Sequence, residues 1–337
     1  METNKTTKTK AKNTSKSVKL DTGKKKDSKS STMPAAKKEK QTHFSSKNIK
    51  ILGFHGLELN TNVYDNVPNA KAVVLVVHGM MEHSGRYDEF AKFLNKNGFF
   101  VITTDLRGHG LTAKNKNRRG FGEKDIYTET LQDLQNIIAY INENYNLPIY
   151  LFAHSYGSLL SQRLIQIEPL IEKCILCGTT NGSSAIMKLG GMVCSFLSLF
   201  KNNSSKSGIL EKMCIKSYGK NFKNGNWFTR DEKVFEAYLK DDLCGGTFPF
   251  GFYKSMIKNS NKANLGIGKI GHKKLFLIAG DKDPVGANGK HVESLHKTYL
   301  KNNVNSKLKI YKDCRHELIN ELNKEEIFQD IIDFFNS

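Results

Sequence analysis

Ser155 lies where an apolar stretch of strand length turns directly into a stretch with helical spacing. The strand-like segment spans 148–153, and helical spacing begins at Tyr156. A tight turn between a strand and a helix strains the Ser backbone and lifts its hydroxyl above the edge of the sheet. Side chains two positions before and after it would collide with their neighbours, and Ala153 and Gly157 are small enough to avoid this. The spacing therefore predicts that Ser155 is a nucleophile.

A general base must take the proton of this hydroxyl, because Ser is a weak nucleophile at neutral pH. In chains that carry such an elbow, a carboxylate and then a His follow the Ser. His316 comes just after the last strand segment, on a loop that opens the final helical segment. We predict that His316 is the base, and we expect the other downstream histidines to be surface residues: His272, His291 and His296.

The carboxylate that orients this base is expected in the loop after the strand segment 274–279. That loop carries Asp281 and Asp283, followed by Pro284. Asp283 lies deeper in the loop, and Pro284 would fix a turn that directs it back towards the His. Asp281 could instead cap the turn, which is a common role of Asp in loops. We predict that Asp283 completes a Ser-His-Asp triad.

An oxyanion formed by attack on a carbonyl also needs hydrogen-bond donors, each worth about 3 kcal/mol in known enzymes. One donor is expected to be the backbone N–H after the nucleophile, here that of Tyr156. The other should come from the loop after an early central strand, where Gly79 lets the backbone approach closely. The amide of Met80 is the predicted donor there, because only the backbone takes part.

Strand-like and helical segments alternate along the chain. Apolar runs typical of strands buried on both faces occur at 72–77, 99–104, 148–153, 174–177, 274–279 and 307–311. Helical spacing occurs at 87–94, 126–145, 156–167 and 325–335, and an opening hairpin starts near residue 49. This alternation predicts an α/β fold, with a mostly parallel central sheet and helices on both faces. With the elbow, it predicts the α/β-hydrolase fold and a site at the carboxyl ends of the strands.

The segment of about 180–265 interrupts the alternation and is predicted to be an inserted helical cap. Its first part, 185–200, is strongly apolar but too short for a comfortable membrane span. Two interpretations are compatible. The segment is an ordinary helix of a small subdomain, or it is a lid whose apolar face lines an acyl pocket or contacts lipid.

Residues 1–47 are predicted to be a disordered, Lys-rich extension, and residues 48–337 the hydrolase domain. The extension holds fourteen Lys and four acidic residues, so it carries about half of the net charge of +19. It lacks the apolar residues that would offset chain entropy on folding. The extension is either a solvated tail or a polybasic strip attracted to anionic lipid. Since no aromatic residues are interleaved with the basic ones to stack on bases, we do not expect nucleic acid as a partner.

The six cysteines are scattered and predict buried free thiols in a reducing compartment. Cys174 and Cys177 lie in one strand segment, where their spacing puts them on opposite faces. No secretory signal is apparent at the N-terminus. We therefore expect a cytoplasmic protein, either free or peripheral at membranes, with no metal or organic cofactor.

Four segments, in this order, resemble one known family. They are 78–87 (HGMMEHSGRY), 105–110 (DLRGHG), 280–286 (GDKDPVG) and 315–317 (RHE). The first two resemble the H-G-x-G-E-H-S-G-R-Y and D-x-R-G-H-G boxes of the monoacylglycerol lipases and lysophospholipases. That group is also described as serine-aminopeptidase-like hydrolases. Cap segments 226–231 and 241–245 are similar to bacterial lysophospholipase-type members, and the resemblance covers about residues 50–336.

The resemblance implies an esterase that acts on a single-acyl lipid, in which Glu82 and Arg86 shape the polar end of the site. The alternative is that these two are a surface acid and an ion-paired arginine. Met81 replaces a Gly of the family box and is expected to narrow the entrance. Ile319 stands where mammalian monoglyceride lipases carry a second His, and Tyr156 replaces a frequent Met. These departures favour a lysophospholipase or a broad esterase.

Several other functions use the same fold. An acyl-protein thioesterase, a broad carboxylesterase or an aminopeptidase would need the same triad. An epoxide hydrolase or dehalogenase would need Asp in place of Ser155. A lipid-binding scaffold that keeps the pocket without turnover is the non-enzymatic alternative.

Overall fold

The central β-sheet is built from the apolar runs of the sequence. A computed structural model of the chain describes residues 45–182 and 184–337, so most of the predicted N-terminal extension lies outside the described residues. The strands are β1 (Lys47–Leu52), β2 (Glu58–Tyr64), β3 (Val73–Val77), β4 (Phe100–Thr104), β5 (Ile149–His154), β6 (Ile171–Cys177), β7 (Lys274–Gly280) and β8 (Ser306–Tyr311).

The eight described strands form one sheet in the order β1-β2-β4-β3-β5-β6-β7-β8. β2 pairs antiparallel with β1 and β4, and the other neighbours pair in parallel. β3 and β5 lie side by side at the centre, in the register Val77 to Ala153. Their carboxyl ends therefore meet at one edge, and this edge carries the loop at Gly79 and the turn at Ser155.

Helices cover both faces of the sheet, as predicted. They are α1 (Asp88–Lys96), α2 (Ile126–Asn144), α3 (Tyr156–Ile167), α4 (Ala185–Leu197), α5 (Gly208–Glu211), α6 (Glu232–Lys240), α7 (Phe250–Ser260), α8 (Lys290–Lys301) and α9 (Lys324–Asn336). α1 and α9 pack on one face, while α2, α3 and α8 pack on the other. The predicted α/β-hydrolase architecture is confirmed.

Two hydrophobic cores form because side chains of a strand alternate between the faces of the sheet. On β5, Leu151 and Ala153 enter one core, and Tyr150 and Phe152 enter the other. Cys174 likewise lies in the first core and Cys177 in the second, so the prediction for these cysteines is confirmed. Burial on both faces explains why these strands read as continuous apolar runs.

The cap consists of α4 to α7 and the turns between them, inserted after β6 and before β7. α7 packs against α2 and α4 and buries Phe250, Phe252 and Tyr253. In contrast, the outer side of α4 leaves Leu189, Met192 and Phe196 largely exposed. No helix among the described residues is both long and apolar enough to span a membrane.

Buried polar contacts fix the loops beneath the site edge. Asp105, just after β4, accepts hydrogen bonds from the backbone N–H groups of Ser84 (2.8 Å) and Leu111 (2.8 Å). Arg107 forms a bidentate pair with Asp133 on α2, at 2.8 and 2.7 Å. Asp105 therefore holds the segment after β3 in place, whereas Arg107 anchors its own loop to α2. Both residues lie outside the candidate site itself.

Candidate active site

The turn between β5 and α3 has the geometry of a nucleophile elbow. Ser155 adopts φ 50° and ψ −116°, a backbone conformation that is strained for a residue with a Cβ. A Cβ on Gly157 would overlap the carbonyl oxygens of Val77 and His78. The Ser155 N–H also donates to the Cys177 carbonyl oxygen at 3.0 Å. Close packing against β3 thus requires Gly at position 157, while the buried Ala153 fits where the family pattern has Gly.

Three predicted residues lie in hydrogen-bond contact. His316 Nε2 is 2.8 Å from Ser155 Oγ, and His316 Nδ1 is 2.9 Å from Asp283 Oδ2. A carboxylate can only accept a hydrogen bond. The proton of the neutral ring therefore lies on Nδ1, which donates a hydrogen bond to Asp283. The Nε2 lone pair then faces the Ser155 hydroxyl, which is the arrangement that a general base needs.

Asp283 is fully buried, and its Oδ1 accepts the Val285 N–H at 2.9 Å. Asp281 instead faces Lys282, at 3.4 Å. A Cβ on Gly280 would overlap the carbonyl oxygen of Cys314. Gly280 therefore lets the loop that carries Asp283 approach the loop that carries the base.

The environment of His316 raises its pKa. Burial disfavours the charged ring, but the charge and hydrogen bond of Asp283 outweigh burial and raise the pKa above its ordinary value. Glu317 and Glu82 add to this effect.

His154, which precedes Ser155 in the chain, has a pKa that burial and the proximity of His316 lower to about 4. His154 is therefore neutral near pH 7.

The other downstream histidines lie away from Ser155. His272 is exposed, as expected, but His291 and His296 are half-buried. Their Nδ1 atoms lie 3.0 Å from the hydroxyls of Thr180 and Ser306, respectively. These two are therefore only partly exposed at the surface, because one side of α8 packs against β8 and the segment after β6.

The predicted oxyanion donors lie on two segments that meet at Ser155. A Cβ on Gly79 would be 3.1 Å from the Ser155 Cβ, so the loop after β3 runs directly past the nucleophile. Within the described residues, the Met80 amide donates to no other protein atom. Tyr156 is the first residue of α3, where an amide has no acceptor within the helix. Both N–H groups are therefore available to a ligand.

Glu82, Arg86 and Glu317 form a largely buried ionic cluster near Ser155. Arg86 Nη1 lies 2.7 Å from Glu82 Oε2, and Nη2 lies 2.6 Å from Glu317 Oε2. Burial favours protonation of both acids, but the charge of Arg86 outweighs it and holds the pKa values of Glu82 and Glu317 below their usual range. The alternative that Glu82 is a surface acid is wrong, since it is 4% exposed. Arg86 is ion-paired with both acids, as the same alternative proposed for this residue.

A cavity of about 30 Å³ adjoins Ser155. It has room for about two water molecules. Several lining residues were not predicted from the sequence: His154, Glu317, Ile215, Trp227, Phe228 and Tyr238. His154 and Glu317 flank the predicted nucleophile and base in the chain, which could have identified them. The aromatic cap residues gave no such signal, because the folding of the cap brings them to the site.

One group of potential metal ligands occurs among the described residues, namely His83, Asp241 and Cys244, whose ligand atoms lie within 4.8 Å of one another. His83 Nε2 is 2.8 Å from Asp241, and Nδ1 accepts the Gly85 N–H at 3.2 Å. Both ring nitrogens are therefore engaged. The contact ties the cap to the loop after β3, and this histidine offers no free lone pair to a metal ion.

The sheet order, the elbow and the inserted cap define an α/β-hydrolase. The family model described as serine aminopeptidase, S33 (Hydrolase_4) matches residues 68–323, so the chain belongs to that family. The chain is 26% identical to a monoglyceride lipase homolog of Monkeypox virus, over 77% of this chain and 88% of the relative. It is 25% identical to phospholipase YtpA of Bacillus subtilis, over 77% of this chain and 92% of the relative.

Among solved structures, the chain is similar to a thermostable carboxyl esterase from Bacillus coagulans in complex with glycerol. The TM-score is 0.79 at 25% identity, and the match covers 87% of this chain and 98% of the esterase. The protein is therefore a hydrolase of the lipase and esterase type within the S33 family.

Proposed function

We propose that this protein hydrolyses the carboxylic ester of a single-acyl lipid, a lysophospholipid or a monoacylglycerol. The observation that carries the proposal is the continuous contact from Ser155 through His316 to the buried Asp283. The names of the relatives support the substrate class, because they include a monoglyceride lipase homolog and a phospholipase.

The reaction proceeds through an acyl-enzyme. Ser155 Oγ attacks the ester carbonyl while His316 Nε2 takes the hydroxyl proton, and Asp283 stabilises the imidazolium that forms. His316 then gives this proton to the departing alcohol oxygen. A water molecule, deprotonated by His316, attacks the acyl carbonyl; the bond from the acyl carbon to Ser155 Oγ then breaks, His316 returns the proton to Oγ, and the fatty acid is released. The Met80 and Tyr156 amides stabilise each oxyanion, with about 3 kcal/mol from each donor.

The cap must move before an acyl chain can bind. Trp227 and Phe228 line the cavity beside Ser155, and the ring of Trp227 lies 5.0 Å from that of His316. The cavity is narrow, at about 30 Å³, so these cap side chains would have to move apart to admit an acyl chain. Apolar and aromatic side chains of the cap suit an acyl chain once the cavity opens.

The exposed side of α4 supports contact with a lipid surface. Leu189, Met192 and Phe196 are each more than half exposed, and a contiguous apolar surface of this kind is typical of interaction sites. The exposed Lys188 and Lys206 lie on and near this helix and would favour anionic lipid. We propose that the cap contacts the membrane transiently while the substrate enters.

Labelling with a fluorophosphonate tests this function first. Mass spectrometry should find the label on Ser155 in the wild type and no label in Ser155→Ala. Hydrolysis of lysophosphatidylcholine and monoacylglycerols, compared with a soluble short-chain ester and an S-acylated peptide, would then identify the substrate class. Preference for the thioester would favour an acyl-protein thioesterase, and preference for the soluble ester would favour a broad carboxylesterase. A folded wild-type protein that is never labelled would contradict the enzymatic proposal and favour a lipid-binding scaffold.

A further inference from the structure

Arg86 joins the carboxylates of Glu82 and Glu317, which are both almost completely shielded from solvent. Its Nη1 donates to Glu82 (2.7 Å) and to Glu317 (2.9 Å), and its Nη2 donates to Glu317 (2.6 Å). The side chains of Arg86, Glu82 and Glu317 are 11%, 4% and 5% exposed. The guanidinium is planar and always charged, so it can hold both carboxylates in a fixed relative position.

Each carboxylate is attached to a different loop of the site. Glu82 Oε1 accepts the Gly79 N–H at 2.6 Å and the Tyr87 hydroxyl at 2.9 Å. Glu82 thereby fixes the backbone that immediately precedes the Met80 amide. Glu317 follows His316 in the chain, and its own N–H donates to the Phe228 carbonyl oxygen at 2.7 Å. Arg86 is therefore the connection between the loop of the oxyanion donor and the loop of the base.

The guanidinium does not line the cavity beside Ser155. Its carbon lies 5.0 Å from the centre of the ring of Tyr238, a cap residue that does line the cavity. Because the Arg86 guanidinium does not reach the cavity, it can affect the reaction only through Glu82 and Glu317, the carboxylates that it binds.

We propose that Arg86 is a positioning residue that sets the spacing between the Met80 amide and His316. This inference rests on the proposed serine hydrolase function. It assigns to Arg86 a role in stabilising the transition state, which differs from contact with the polar end of the substrate. Loss of the bidentate contact should therefore lower kcat and leave KM almost unchanged.

Arg86→Lys tests the proposal, because Lys keeps the charge but cannot reproduce the two-sided contact. With a soluble p-nitrophenyl ester, we expect kcat to fall about 10- to 100-fold, the effect of a displacement of about 1 Å at a reacting group. KM should change by less than about three-fold. The rate of fluorophosphonate labelling should fall in parallel, since that reaction uses the same donors and base.

Arg107→Lys is a matched control. Arg107 is also largely buried, with its side chain 5% exposed, and forms a bidentate pair with Asp133, but that pair lies outside the candidate site. Both variants should lower the melting temperature, whereas only Arg86→Lys should lower kcat. Equal kcat losses in the two variants would reduce Arg86 to a structural ion pair. A higher KM at unchanged kcat would instead show that Arg86 binds substrate.

Glu317→Gln provides a second test if Arg86→Lys does not fold. This change weakens the same connection and keeps the Arg86 contact to Glu82, so kcat should fall in the same direction but by less. An unchanged kcat would overturn the proposal.

Wild-type labelling at Ser155, measured alongside, separates failure of the proposed role of Arg86 from failure of the proposed function. A labelled wild type with fully active Arg86→Lys contradicts only the role of Arg86, whereas an unlabelled wild type contradicts the proposed function as well.

Discussion

Met81 shows how this chain departs locally from the family box that it resembles. Its φ of 61° lies in the left-handed region, which costs a residue with a Cβ about 1–2 kcal/mol. The box has Gly at this position. Here the Met81 carbonyl oxygen accepts the Gly245 N–H at 2.8 Å and the Tyr238 hydroxyl at 3.3 Å, both from the cap. Contacts from the cap therefore hold the strained loop next to the predicted oxyanion donor.

At position 81, a Gly variant should be more stable than an Ala variant, which is the reverse of the usual order of stability. Both variants lose the same buried side chain, but only Gly tolerates the left-handed backbone. We expect Met81→Gly to be more stable than Met81→Ala by about 1 kcal/mol. Urea denaturation of the two variants measures this difference. An Ala variant as stable as the Gly variant would mean that the backbone at position 81 relaxes without the Met side chain.

The raised pKa of His316 predicts the pH dependence of the reaction. A general base works only when neutral, so activity is lost as pH falls through its pKa. Since Asp283, Glu317 and Glu82 raise this pKa above the ordinary value, the acid limb of kcat/KM should lie above about pH 6.5. Measurement of kcat/KM from pH 5 to pH 9 would locate it, and a limb well below this pH would contradict the assignment.

Asp283→Asn should move the acid limb to lower pH, because the variant removes the charge that stabilises the imidazolium. The rate should also fall by about 10⁴-fold, as expected when the orienting acid of a triad is lost. Labelling rates across pH measure both effects. Asp281→Asn is the matched control, since Asp281 faces Lys282. Equal losses in the two variants would mean that neither aspartate specifically orients His316.

At the scale of elements, the cap combines two different surfaces. Its inner side closes the cavity with Trp227 and Phe228, while the outer side of α4 presents Met192 and Phe196 to solvent. The contact between His83 and Asp241 ties the cap to the loop after β3, so a movement that carries Asp241 away from this loop would break it. Contact with lipid on the outer side can therefore be coupled to access on the inner side.

Phe196 and Phe200 provide the test of lipid contact. Burial of one Phe contributes about 1.5–3 kcal/mol, so Phe196→Ser/Phe200→Ser should weaken vesicle binding by at least about ten-fold. Sedimentation with vesicles of phosphatidylcholine and phosphatidylserine measures this. Turnover of a soluble ester should remain unchanged. Leu265→Ser is the control, because this exposed side chain lies outside α4. Equal binding by all three proteins would exclude α4 as the lipid-contacting surface.

At the scale of the whole molecule, the sheet brings together residues that are far apart in the chain. Loops after β3, β5, β7 and β8 supply Met80, Ser155, Asp283 and His316, because parallel strands end at the same edge. The pattern of apolar runs allowed this arrangement to be predicted, since strands buried on both faces leave a clear signal in the sequence. The prediction located the cap but gave few of its internal helices, which are short and packed irregularly.

The sequence alone determined the alternation of strands and helices, the elbow with its small flanking residues, and which Ser, Asp and His to place at the sheet edge. These features depend on local sterics and on periodicity, both of which are encoded by neighbours in the chain. Only the tertiary structure decided that Glu82 is buried, that Arg86 joins it to Glu317, and that Trp227 lines the cavity beside Ser155. Burial and ion pairing between distant segments depend on how the elements pack, and no local pattern specifies that packing.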